Sequence, residues 1–198
     1  MQRIYKLKPR ARVLCLNNLG ISLGNRKITK EVGIWNLPAI ETCPERTKMC
    51  EMKCYARKSE RLHPACIPAR HRNLQAAQEE NFVARMIELI CLSNVGWFRI
   101  HESGDFFSQE YLNKWVEIAK ALPEVRFLAF TSSHSLRFSR VSENMSILFS
   151  VWPDTSVIPI GRKAYVEGAS GFSCPHDCGP GECLFCWKGT GDVNFKLH

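Results

Sequence analysis

Seven of the ten cysteines fall in two short segments, and thiolates gathered at such spacing bind soft metals. The first group is Cys43, Cys50 and Cys54, with Pro44 after the first cysteine and Tyr55 after the last. Three thiolates on one loop can hold three irons of a [4Fe-4S] cluster. The fourth iron then stays open to a substrate, a cofactor or a distant ligand, and an open position is where metal chemistry happens. Cys66 and His63 are candidates for that ligand. A zinc ion completed by either would use the same donors. The second group is Cys174, Cys178, Cys183 and Cys186. It offers a complete four-thiolate shell, suited to a structural or electron-transfer cluster. The Cys183–Cys186 pair equally resembles the knuckle of a zinc ribbon. His176 lies inside this segment, as a replacement ligand for Cys178 or as a neighbour of the site. Iron–sulfur is the reading taken for both groups, with zinc as the alternative.

A polar turn, His101-Glu102-Ser103-Gly104-Asp105, stands at the carboxyl end of a predicted parallel strand. Open α/β sheets and barrels place their ligands at that edge. Glu102 and Asp105 are the candidate catalytic groups, able to take an amine or move a proton. Gly104 would let a ligand approach the backbone. Ser103 and Thr131, together with Gly104, are the candidate cofactor-binding residues, with Arg137 nearby. The competing reading is a plain turn that Asp105 helps to form, with His101 packed beneath it.

The elements that must position these groups follow from periodicity. Residues 31–37 read as a strand stopped by Pro38, and the first cysteine loop begins directly after it. Residues 71–92 carry apolar side chains at helical spacing, with Cys91 extending that face. A strand over 97–101, a helix over 109–122 with Ser108 as N-cap, and a strand over 125–131 make a βαβ unit with parallel strands. Residues 146–152 and 156–160 read as further strands. The expectation is an α/β fold with a parallel sheet forming a partial (β/α) barrel, since a full eightfold barrel usually needs more than about 200 residues. From about 168 the chain is rich in Gly, Cys and Pro. That tail is expected to depend on metal for its order. The division is a partial-barrel domain over 1–167 and a cysteine-rich metal-binding extension over 168–198.

The order of parts resembles a radical S-adenosylmethionine enzyme. The corresponding stretches are Cys43, Cys50 and Cys54-Tyr55, then Glu102 to Phe107, then Phe130 to Ser133, and the trailing cysteines are similar to auxiliary-cluster extensions. The resemblance implies an S-adenosylmethionine cofactor, an electron donor and a substrate it does not identify. More closely, residues 24–187 resemble a little-characterised family named for bacteriophage gene product 88. Its recurring features look like Thr42-Cys43-Pro44, Cys50 and Cys54-Tyr55-Ala56, then Ser103-Gly104-Asp105-Phe106, then Cys174-Pro175, Cys183 and Cys186-Trp187.

Composition sets the outer bounds. Apolar residues make up 45%, enough for an ordinary core. No apolar run reaches the roughly 18 residues of a membrane span. The Met1–Leu23 stretch is basic then apolar, but Asn17 and Asn18 interrupt it and no small-residue cleavage site follows, which argues against a signal peptide. Cysteines clustered without a secretion signal point to a reducing, cytoplasmic setting. The net charge of +8 admits a polyanionic partner. Three functions follow: an iron–sulfur enzyme acting on a small-molecule or macromolecular substrate, a non-catalytic electron carrier or redox sensor, and a zinc-stabilised nucleic-acid-binding protein.

Overall fold

The computed structural model describes residues 12–16, 19–168 and 170–196. The basic run at Lys6–Arg12 and the Asn17–Asn18 interruption lie almost wholly outside them. Among the described residues nine strands form one sheet: β1 (Arg12–Leu16), β2 (Leu19–Leu23), β3 (Val32–Trp35), β4 (Trp97–Ile100), β5 (Arg126–Thr131), β6 (Met145–Val151), β7 (Lys163–Val166), β8 (Phe172–Ser173) and β9 (Val193–Phe195). Their order is β1-β2-β3-β4-β5-β6-β7-β9-β8. The β1–β2 and β2–β3 pairs are antiparallel. Every pairing from β3 onward is parallel. From β3 to β7 the chain adds one neighbour at a time, without the order reversal of a doubly wound sheet.

Helices cross over between the early strands. Between β3 and β4 run α1 (Lys48–Met52), α2 (Tyr55–Leu62), α3 (Cys66–Gln78) and α4 (Phe82–Ser93), and α5 (Gln109–Ala121) joins β4 to β5. The sequence pattern suggested one helix over 71–92, and the structure has two. Glu79 is extended, and the Lys114 ammonium of α5 donates to the carbonyls of Ala77 and Glu79. Those carbonyls thus end α3 with a partner instead of continuing the helix. Because α4 starts afresh at Phe82, its buried face is Phe82, Met86, Leu89 and Ile90. Cys91 is therefore exposed, not packed in the core as its periodicity suggested. The strand expected over 156–160 is also absent. Pro153 and Pro159 offer no N–H to a ladder, and that segment is a loop in which Ile160 is 96% exposed.

Strand alternation divides the core in two. Trp35, Phe98 and Phe127 face α4 and α5, where they meet Phe82, Tyr111 and Trp115 in a web of tilted and edge-on rings. Burying each such ring contributes about 1.5–3 kcal/mol. The opposite face carries Val32, Ile34, Leu128 and Leu148. The cysteine-rich tail covers it: α6 (Phe185–Lys188) brings Cys186 and Trp187 onto these residues, and the Trp187 ring meets Trp97 edge-on at 6.0 Å. Arg162 fastens the tail by donating to the Cys186 carbonyl at 3.1 Å and the Gly191 carbonyl at 3.1 Å.

Candidate functional site

The first cysteine group leaves the carboxyl end of β3. Cys43 lies on the loop, Cys50 in α1, and Cys54 is the N-cap of α2. The loop is tightly held. Ile40, a β-branched residue, has φ +69, a conformation retained only where neighbours enforce it. The Thr42 hydroxyl donates to the Pro38 carbonyl at 2.8 Å. The Thr47 side chain caps α1 by accepting from Cys50 N, and Asp154 accepts from Met49 N at 2.9 Å. Glu60 accepts from Ala39 N and from the buried Arg70 guanidinium, so α2 and α3 clamp the loop from behind.

The 101–105 turn packs against that loop. Leu37 N donates to the Ser103 carbonyl at 2.9 Å. Asn36 Oδ1 accepts from both Glu102 N and Ser103 N. The Ser103 hydroxyl donates to the Leu37 carbonyl at 2.8 Å, and the Tyr55 hydroxyl to the Glu102 carbonyl. The Glu102 carboxylate accepts from Asn25. Gly104 has φ +87, and a Cβ there would lie 2.6 Å from both Leu37 Cβ and Thr42 Oγ1. Its lack of a side chain thus lets the turn close on the cysteine loop, whereas the sequence had suggested room for a ligand.

Asp105 is 5% exposed and ties three segments together. It accepts from Phe106 N at 2.7 Å, from the Thr131 hydroxyl at 2.6 Å and from Ser132 N at 2.7 Å. Burial nevertheless pushes its carboxyl up to about 6. His101 is buried at φ +63. Its Nε2 lies 2.9 Å from the Tyr111 hydroxyl, which itself accepts from Trp35 Nε1 at 2.8 Å. Tyr111 therefore has its proton to give to Nε2, leaving Nδ1–H buried without a partner among the described residues. Burial first, and then the Arg99 charge, bring His101 down to about 3.

These elements bring Cys43, Cys50, Cys54 and Asp105 into one electrostatic neighbourhood. Cys43 is pushed up to about 12 by burial, then by Asp105 and Cys54; Cys50 reaches about 12 by burial, then by Cys54 and Cys43. His63 is the C-cap of α2 and Cys66 opens α3, so the eight residues of α2 separate both from Cys54 at its N-cap. In the second group Cys174 and Cys178 are hydrogen-bonded to one another, and Cys186 feels both Cys174 and Cys183. The His176 backbone N–H approaches Cys174 Sγ at 3.4 Å. The hydrogen bond from Cys178 brings Cys174 down to about 7, while Cys178 is raised. Among the described residues, no three His, Cys, Asp or Glu side chains converge tightly enough to chelate one metal ion. A cubane asks less, since each thiolate reaches a separate iron. Half-buried thiols that oppose each other's ionisation are stabilised as thiolates by a cation, so the chemistry of both donor sets fits a metal centre.

A cleft of about 960 Å³ opens beside the first group, at the carboxyl ends of β5 and β6. Its walls include Arg46 and Lys48 from the cysteine loop, His134, Phe138 and Phe149, and Asp154. His134 Nε2 lies 3.0 Å from the Ser150 carbonyl. Donation there leaves Nδ1 as an acceptor. Glu45 accepts from Ser135 N at 3.1 Å, joining the cysteine loop to the far wall. Arg137 is exposed and is not among the cleft's walls. The sequence reading missed Glu45, His134 and Asp154, which lie on loops without periodicity. It also missed Arg99, although a lone cation inside an apolar strand was a visible signal.

A family model described as Gene product 88 matches residues 16–167. That span takes in the first cysteine group and the 101–105 turn and ends before Cys174. The Gene 88 protein of Mycobacterium phage L5 is 29% identical over 127 residues, 57% of this chain and 53% of that protein. The Gene 88 protein of Mycobacterium phage D29 is 30% identical over 142 residues, 64% of this chain and 57% of that protein. The chain spans little more than half the length of these curated relatives. No solved structure matches. Neither relative's name states an activity, and neither bears on the radical-enzyme resemblance.

Proposed function

We propose that the chain, which belongs to the gene product 88 family, is an iron–sulfur enzyme with an open-coordination [4Fe-4S] cluster on Cys43, Cys50 and Cys54. The observation that carries this reading is the incomplete three-thiol set beside a large cleft at the carboxyl edge of a parallel sheet. A cluster bound there supplies an open iron and an electron. A co-substrate such as S-adenosylmethionine would lie in the cleft, and a curled sheet would place it over the strand ends. Asp105 and Thr131 hold the turn against β5, Ser103 and Gly104 hold it against the cysteine loop, and Glu102 is the turn's exposed-edge carboxylate. Cys174, Cys178, Cys183 and Cys186 would hold an auxiliary cluster. The same donors would hold zinc in a nucleic-acid-binding protein, a reading supported by the exposed cations Lys53, Arg57, Lys58 and Arg61 beside the first group.

The test is an anaerobic preparation of the whole chain and its Cys50→Ala variant, with visible and electron paramagnetic resonance spectra before and after S-adenosylmethionine. The reading expects one cluster's iron to vanish in the variant and the cofactor to perturb only the parent spectrum. Identical iron content in the two chains would remove the first cluster from the account, and an unperturbed parent spectrum would remove the cofactor.

A further inference from the structure

Arg99 lies on β4, on the face that carries Trp97 and meets the cysteine-rich tail. Its guanidinium stacks 4.1 Å over the Phe130 ring, and its Nε donates to the His101 carbonyl at 3.0 Å. Phe130 belongs to the same packed cluster as Cys174, Cys178 and Cys186. Among the described residues, no carboxylate forms an ion pair with Arg99. A half-buried guanidinium is costly without a counter-charge. On this face of the sheet the tail brings three of its four thiols, Cys174, Cys178 and Cys186, into the cluster that holds the ring on which the guanidinium stacks. Stacking and the Nε bond fix the cation in place, so it cannot swing to solvent as a lysine would.

We propose that Arg99 is the internal counter-cation of the second cysteine group, a positioning residue that stabilises the anionic centre held by Cys174, Cys178, Cys183 and Cys186. This rests on the metal-binding reading above and extends it. Four thiolates leave a cubane with a net charge of about −2. Adding an electron makes the centre more negative, so a fixed cation nearby favours the reduced state and raises the reduction potential. Through the His101 carbonyl the same side chain also braces the turn that packs on the first cysteine group.

The test uses the full chain carrying Cys43→Ala and Cys50→Ala, so that only the second group is loaded. Arg99 is compared with Arg99→Lys, Arg99→Gln and Arg99→Met by iron and zinc per chain, metal loss to a chelator, and midpoint potential from a redox titration followed by paramagnetic resonance. Circular dichroism checks that each variant is folded, and the lysine variant keeps the comparison alive if a neutral one is not. With a cluster bound, the expected result is a more negative midpoint and faster iron loss in the neutral variants, with lysine between them and the parent. Unchanged midpoint and loss rate would overturn the proposal while leaving the cluster intact. If the second group takes zinc, the iron–sulfur reading fails there, but faster zinc loss from Arg99→Gln still supports the counter-cation and equal loss refutes it. A second group that takes neither metal overturns both.

Discussion

Replacing His101 by Gln should make the protein less sensitive to acid, by an amount that follows from the folded state. His101 is 2% exposed and is held down to about 3 by burial and then by the Arg99 charge, against an ordinary value near 6.5. Its folded pKa is therefore depressed. The stability it contributes is fully present above pH about 6.5 and is lost as the pH falls towards 3, because only the unfolded chain takes up the proton. Each pH unit in that window removes about 1.4 kcal/mol. Between pH 7 and 4.5 the loss is about 2.5 kcal/mol. Asp105 acts in the opposite sense. Its folded value of about 6 exceeds 3.8, so its contribution grows as the pH falls from 6 towards 4. Asp105 is present in both chains, and the difference between them isolates the histidine. The assay is urea unfolding of parent and His101→Gln from pH 7 to 4.5. The stability of the parent relative to the variant should fall by about 2.5 kcal/mol across the window. Parallel pH profiles would show that His101 titrates alike in both states and refute the burial argument.

Other outcomes follow from the same contacts. Gly104→Ala places a Cβ 2.6 Å from Leu37 and Thr42 at φ +87; it should cost more than about 1 kcal/mol and lower the metal content of the first group, read by unfolding and metal analysis. Thr131→Val removes the 2.6 Å hydrogen bond to a buried carboxylate, with an expected loss of about 1.5–3 kcal/mol in urea. Trp187→Ala takes a ring that is 7% exposed away from Trp97. It should cost about 3 kcal/mol and speed proteolysis of the tail, while tail cleavage at the parent rate would show that Trp187 does not anchor it. If the exposed face of α2 binds single-stranded nucleic acid, affinity should fall steeply with salt and fall again in Lys58→Glu; salt-independent binding would rule out that partner.

The βαβ heart of the fold was legible because its signals are local. Ser108 caps α5 as its type predicts, and strands β4, β5 and β6 differ from the periodic segments by a residue at most. The break between α3 and α4 was not, because it depends on Lys114 arriving from another helix. The loop at 156–160 looked like a strand by apolar content, yet prolines and the exposure of Ile160 belong to a connection. The two cysteine groups were plain from spacing, whereas the roles of Ser103, Gly104 and Asp105 changed meaning once their partners were known. Each spends its hydrogen-bonding capacity or its missing side chain on joining the turn to its neighbours. The placement of the tail was unreadable for another reason. Trp187 meets Trp97, and Cys186 joins the cluster that holds Leu128, contacts too distant in the chain for periodicity to carry. Among the described residues no helix is long and apolar enough to cross a membrane.

The account turns on what the cysteines hold, and a metal count decides it most directly. The whole chain, purified anaerobically and reconstituted with iron and sulfide, would be assayed for iron, acid-labile sulfide and zinc per chain, alongside variants that empty each cysteine group. Two cubanes predict about eight irons and eight sulfides, falling by half when Cys43, Cys50 and Cys54 become alanine and by half when the second group does. A colourless chain that retains only zinc, or iron that survives both sets of substitutions, would contradict the account.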